Sequence, residues 1–76
     1  MRLTNTVLES GAKSETVREL VRRIEAEYSE MPGLSVTLWQ AQRLWDVDRY
    51  TCQTAFDRLI ARGLLRITTK GRFVRT

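Results

Sequence analysis

Residues 34–75 read LSVTLWQAQRLWDVDRYTCQTAFDRLIARGLLRITTKGRFVR, and this stretch decides the fold. Thr37-x-x-Gln40 has the capping-box form, in which a hydroxyl and a carboxamide each accept the other residue's backbone N–H. It opens a helix of about two turns, Leu38 to Trp45, with Leu38, Ala41, Leu44 and Trp45 on the buried side. Trp39 lies off that stripe. It either covers a neighbouring element or meets a partner, and packing is the plainer reading. Asp46-Val47-Asp48 is a tight connection with one apolar anchor, and Asp48 is a good N-cap for a third helix, Arg49 to about Arg62. Cys52, Ala55, Phe56, Leu59 and Ile60 form one broad apolar stripe along it. The opposite side carries Arg49, Tyr50, Gln53, Thr54, Asp57 and Arg58. Gly63 stands where a left-handed C-terminal cap is wanted.

After that glycine the pattern changes. Residues 64–69 and 72–76 are rich in β-branched and aromatic side chains, with Lys70-Gly71 between them, which predicts a β-hairpin. A two-residue Lys70-Gly71 loop sets Ile67 opposite Val74 and Thr68 opposite Phe73. Ile67 and Val74 then face the core with Leu65, and a one-residue slip flips the assignment.

On the other side of the stretch, Leu34-Ser35-Val36 is a short β-prone segment, and Pro32-Gly33 ends a first helix. That helix is predicted from about Ser14 to Glu30, with Val17, Leu20, Val21, Ile24, Tyr28 and Met31 on one apolar face. Ser14 or Thr16 caps it, Thr16-x-x-Glu19 again having the capping-box form. Glu19 and Arg23 are spaced for an exposed ion pair. Residues 1–13 have no clear period. Ser10-Gly11 reads as a break and the segment as a flexible tail, in which Leu3, Val7 and Leu8 pack on the domain or on a second copy. The expectation is one domain over 14–76: mostly α, a three-helix core with a short strand and a small C-terminal β-hairpin.

Composition narrows the function. Seventy-six residues make one small domain. There is no histidine, which removes the commonest general base, metal ligand and pH switch. A single cysteine, Cys52, excludes an internal disulfide. Its place on the apolar stripe reads as a small core residue rather than a redox sensor. Glu25 with Glu27, or Asp46 with Asp48, are carboxylate pairs without a cleft. No enzyme, cofactor, metal or small-molecule ligand is expected. Residues 1–6 have no apolar stretch after Arg2, and no run approaches membrane-spanning length, so a cytoplasmic protein is expected. The net charge of +4 is unevenly placed: residues 1–32 carry five basic and six acidic residues, residues 33–76 eight basic and three acidic. A one-sided basic surface suits a polyanion, although a small positive charge also serves solubility.

In element order and in these short motifs, residues 34–75 resemble the winged helix-turn-helix domains of bacterial transcription regulators. Thr37 to Leu44, with Ala41 buried, is similar to the family's second helix, and Asp48 to Arg62 to its recognition helix. Leu59-Ile60-Ala61-Arg62-Gly63-Leu64-Leu65 resembles the passage into the wing, and residues 68–73 resemble the wing tip. With the first helix included, the resemblance covers about four-fifths of the chain. It departs at the turn, where Trp45-Asp46 replaces the small residue, often glycine, of many such domains. The turn looks one residue longer, and the reading face is not strongly basic.

The resemblance implies sequence-specific double-stranded DNA binding, with helix 49–62 in the major groove and wing 66–75 on the backbone or minor groove. A protein so bound would lie with the nucleoid. Arg49, Gln53 and Thr54 are the candidate base contacts: an arginine fork suits guanine, a carboxamide suits adenine, and threonine suits a thymine methyl. Gln40, Arg43, Tyr50, Arg58, Arg66, Lys70, Arg72 and Arg75 are candidate backbone contacts. The competing reading is a winged-helix protein–protein module without DNA binding. A homodimer seam or protein partner through residues 1–13, helix 14–30 or Trp39 fits either reading.

Overall fold

The computed structural model describes residues 9–76. Helix α1 spans Glu9–Glu30. Val17, Leu20, Val21, Ile24 and Tyr28 recur at helical spacing, and all five are buried. The helix runs through Ser10-Gly11, where the sequence predicts a break, so Ser14 and Thr16 lie within it rather than at its cap. One glycine lowers helix stability by only about 1 kcal/mol relative to alanine, a weak stop signal. The expected packing of Leu3, Val7 and Leu8 lies outside the described residues. Met31 is exposed because it already belongs to the turn, where Leu34 N–H donates to Met31 O at 2.9 Å across Pro32-Gly33.

Strand β1 (Val36–Thr37) leads directly into helix α2 (Leu38–Trp45), whose capping box forms as expected. Gln40 N–H donates to Thr37 Oγ1 at 3.1 Å, and Thr37 N–H donates to Gln40 Oε1 at 2.9 Å. Ala41 and Trp45 are buried and Leu38 packs against the core, but Leu44 is 55% exposed. Leu44 precedes Trp45 by one residue, about 100° around the helix, and falls off the side that Ala41 and Trp45 define. Trp39 is 63% exposed, so the packing reading fails there too.

Asp46 closes α2 in the left-handed region at φ 53°, its N–H donating to Gln42 O. An aspartate tolerates that conformation better than most side chains, which is how the turn does without glycine. Helix α3 (Arg49–Ala61) follows. Asp48 caps it, accepting Thr51 N–H at 3.0 Å and the Thr51 hydroxyl at 2.6 Å. Thr51 is buried, so this carboxylate satisfies a polar group that has left water. Asp48→Ala is therefore expected to cost about 1–2 kcal/mol. Thermal melts followed by circular dichroism should show a drop of roughly 5–15 °C. An Asp48→Asn variant keeps an acceptor and should recover most of it. The helix stops at Arg62, and Gly63 takes φ 78° as expected.

Strands β2 (Leu65–Ile67) and β3 (Arg72–Arg75) form the hairpin, and β1 adds to its other edge, giving an antiparallel sheet of order β1-β3-β2. Val36 pairs with Phe73 and Thr37 with Arg72. Without β1, the outer edge of β3 would leave backbone groups unpaired. The hairpin register differs by one residue from the expectation: Leu65 faces Arg75, Arg66 faces Val74, and Ile67 faces Phe73. Thr68 N–H donates to Arg72 O at 2.8 Å and Gly71 N–H to Thr68 O at 2.9 Å, making Thr69-Lys70-Gly71 a three-residue loop with Gly71 at φ 76°. A two-residue primed turn would put Lys70 at positive φ, which a lysine avoids. The slip brings Phe73 to the inner face and turns Val74 outward. Ile67 stays on the inner face but, next to the loop, is 52% exposed.

The core closes around α3. Ile24, Cys52, Ala55, Phe56 and Leu59 have no exposed surface. The Phe73 ring stacks on Phe56 with centroids 4.0 Å apart, and Trp45 meets Phe56 at 6.3 Å. Tyr28 Oη donates to Phe73 O at 2.6 Å, tying α1 to the middle strand.

Candidate nucleic-acid interface

Turning the apolar stripe of α3 inward forces its polar side out, and the C-terminal end does not cover it. Thr76 bonds back to Gly63 and Leu64, at the foot of the hairpin. Arg49 is exposed and Tyr50 is 65% exposed. The other two candidate base readers are half-buried, and their polar groups are engaged within the helix. Gln53 Nε2 donates to Asp57 Oδ1 at 3.0 Å, and Thr54 Oγ1 donates to Tyr50 O at 2.8 Å. The second is the back-bond a helical threonine commonly makes. Arg58 lies one turn before Arg62, whose Nη1 is 3.8 Å from Glu25 Oε2 of α1. Arg58 itself is exposed, one turn after Thr54. The ion pair expected between Glu19 and Arg23 does not form among the described residues.

The four cations of the hairpin separate into two kinds. Arg66, on the outer face opposite Val74, and Lys70, in the loop, are exposed. Arg72 is half-buried, its Nη1 donating to Ser35 O at 3.2 Å. Arg75 reaches Tyr28 O at 3.5 Å, near the C-terminal end of α1, where the helix dipole favours a cation. Arg75 therefore lies away from the loop that carries Lys70.

On α2, Gln40 holds its oxygen over the helix start, and the Arg43 guanidinium carbon sits 4.9 Å from the Trp39 ring centroid. An exposed cation–π contact of this kind contributes about 0.5–1 kcal/mol. It keeps Arg43 extended along its own helix. The sequence reading missed that Leu44 joins Trp39 on the surface; a tryptophan and a leucine five positions apart were the available signal. It also missed Thr51, although Asp48-x-x-Thr51 has the spacing for a shared cap.

Burial, with the Asp48 carboxylate nearby, pushes the Cys52 thiol up to about 11, so the thiolate is scarce near neutral pH and the side chain acts as an apolar filler. Among the described residues no group of three or more metal-ligating side chains converges, and no helix is long and apolar enough to cross a membrane. No family model, curated protein or solved structure matches the chain.

Proposed function

We propose that this chain is a winged helix-turn-helix protein that binds double-stranded DNA with sequence preference, as bacterial transcription regulators do, with α3 in the major groove and the hairpin as its wing. The observation that carries the reading is the division of α3. Its apolar stripe is sealed against α1 and the sheet, its polar side carries exposed Arg49, Tyr50 and Asp57 with half-buried Gln53 and Thr54 between them, and the Phe56–Phe73 stack seats the hairpin directly beside it. The hairpin brings Arg66 and Lys70 without any carboxylate after Asp57. This is the charge pattern a phosphate backbone recruits.

Arg49 is the principal base reader, because its guanidinium is exposed at the N-terminal end of the helix. Gln53 and Thr54 read bases only after exchanging their bonds to Asp57 and Tyr50 for bonds to DNA. Arg66 and Lys70 supply phosphate contacts, as does Tyr50 through its hydroxyl. Arg43 and Arg72 contribute from the α2 side. Arg75 contributes least, since it is held at the end of α1, and Arg58, exposed one turn after Thr54, adds from that flank.

Fluorescence anisotropy with a panel of duplexes tests this. Arg49→Ala is expected to reduce the preference between best and worst duplexes by about 5- to 150-fold, corresponding to about 1–3 kcal/mol of lost discrimination. Lys70→Ala should weaken all duplexes alike and flatten the salt slope by about 1. Lys70 is a cleaner choice than Arg72, whose loss also removes a bond to β1. The parent protein should show log affinity falling with log salt at a slope of about −3 to −5. Absence of duplex binding at low salt would transfer the assignment to a protein–protein module.

A further inference from the structure

Between β1 and α2 lies a surface whose apolar side chains the DNA reading leaves unused. Ser35, Val36, Trp39, Gln40, Arg43 and Leu44 line an open groove of about 430 Å³. Two large apolar side chains, Trp39 at 63% and Leu44 at 55% exposure, stand on it although the core has taken its own stripe from the same helix. Among the described residues neither belongs to the core cluster, and Trp39 is met only by Arg43 of its own helix. Isolated exposed apolar residues are ordinary, but here two flank one groove together with a cation.

The groove's charge has one sign. Arg43 lies over the Trp39 ring, and the Arg72 guanidinium is anchored at its rim on Ser35 O. No carboxylate is among the lining residues. We infer that this groove docks an acidic amphipathic segment of a partner protein, whose apolar side chains cover Trp39 and Leu44 while its carboxylates meet Arg43 and Arg72.

Charge selects this occupant. A second copy of the chain, set groove to groove, would bring Arg43 and Arg72 of both copies together with no carboxylate in the lining to separate them. A duplex would engage the arginines but would leave Trp39 and Leu44 without an apolar counterpart. An acidic helix or strand satisfies both halves. A carboxylate pair suits a guanidinium fork, and tryptophan and arginine are the side chains that most often dominate interface energetics. The inference does not require DNA binding, although Arg43 and Arg72 would serve both partners: a regulator with this groove would receive its signal through a protein, and a module that binds no DNA would use the same surface.

The test uses the full chain and a synthetic acidic peptide with leucines at i, i+3, i+4 and i+7, beside a counterpart in which every Asp and Glu is replaced by Lys. Peptide anisotropy reads affinity. Acrylamide quenching reads shielding of Trp39, the exposed one of the two tryptophans. The expected result is saturable binding of the acidic peptide alone, protection of Trp39, and losses of about tenfold or more on Trp39→Ala and Leu44→Ala. Both variants should keep duplex affinity and salt slope within about twofold of the parent. Both residues are exposed, so the fold should survive, and the parent melting curve checks this. Failure of the acidic peptide to bind overturns the inference, as does equal binding of the lysine counterpart. An equal loss of duplex affinity in the two variants assigns the groove to DNA, and a dimer that shields Trp39 without peptide assigns it to a second copy.

Discussion

Phe73→Ala will lower the melting temperature by roughly 15–35 °C, the largest effect expected of any single truncation in the sheet. The phenylalanine is 2% exposed and stacks on Phe56 at 4.0 Å with the rings 10° from parallel. Removing it leaves a void beside a ring that has no exposed surface of its own. Truncations of this kind cost about 3–5 kcal/mol, because the surroundings relax only in part. A domain this small has a total margin near the lower end of about 5–15 kcal/mol, so most of it would go. The Tyr28 bond should survive, since it is made to the Phe73 carbonyl rather than to the ring. Val74→Ala is the informative control. Val74 is half-buried on the outer face, and its truncation should cost less than about 1 kcal/mol. Urea unfolding followed by the fluorescence of Trp45, which packs on Phe56, measures both variants. If Val74→Ala proved the more damaging, the register set by the three-residue loop would be wrong and the two-residue Lys70-Gly71 turn would be restored.

That contrast marks the limit of what the sequence discloses. Helices α2 and α3 are legible because their boundaries are set locally: Thr37 with Gln40, Asp48, and Gly63 each act within a few residues of where they stand. The hairpin is legible as a hairpin, but its register rests on whether Lys70 or only Gly71 takes a positive φ, and a one-residue difference exchanges Phe73 with Val74. Strand β1 has two residues, too few for a period, and is defined only by its pairing with β3. The start of α1 is illegible for a related reason, since Gly11 weakens a helix without ending it. The open side of α3 follows from its apolar stripe and so could be read directly. What each polar group does there could not. The Gln53–Asp57 bond has recognisable i, i+4 spacing, but the anchoring of Arg72 on Ser35 and of Arg75 on Tyr28 joins positions 37 and 47 residues apart. Side chains that look equivalent in a basic tail are therefore sorted by tertiary contacts into exposed and committed ones.

Alkaline pH should unfold this domain through two groups on facing elements. Burial pushes the Tyr28 phenol from its ordinary 10.0 to about 12, and burial with the nearby Asp48 carboxylate pushes the Cys52 thiol from 9.0 to about 11. Both are neutral when protonated, and both keep the proton longer in the folded chain than in the unfolded one. Below pH 9 the two states bind the same number of protons at these sites, and the contribution is complete. Above it the unfolded chain loses the thiol proton first and then, from near pH 10, the phenol proton, so stability falls as pH rises. Each shift is worth about 2–3 kcal/mol once pH has passed the folded value. The sum, about 5 kcal/mol near pH 12, is comparable to the whole margin of a small domain. Urea midpoints measured from pH 7 upward should stay level to about 9 and then decline. Cys52→Ala should delay the onset by about one pH unit, at a modest cost in stability at neutral pH. Tyr28→Phe removes the bond to Phe73 O and so starts less stable, but its profile should flatten above pH 11, where the remaining thiol contribution has largely gone. A parent profile level through pH 11 would mean that the phenol and thiol ionise inside the folded chain as easily as outside it. That would contradict a core in which Cys52 has no exposed surface and Tyr28 has 3%.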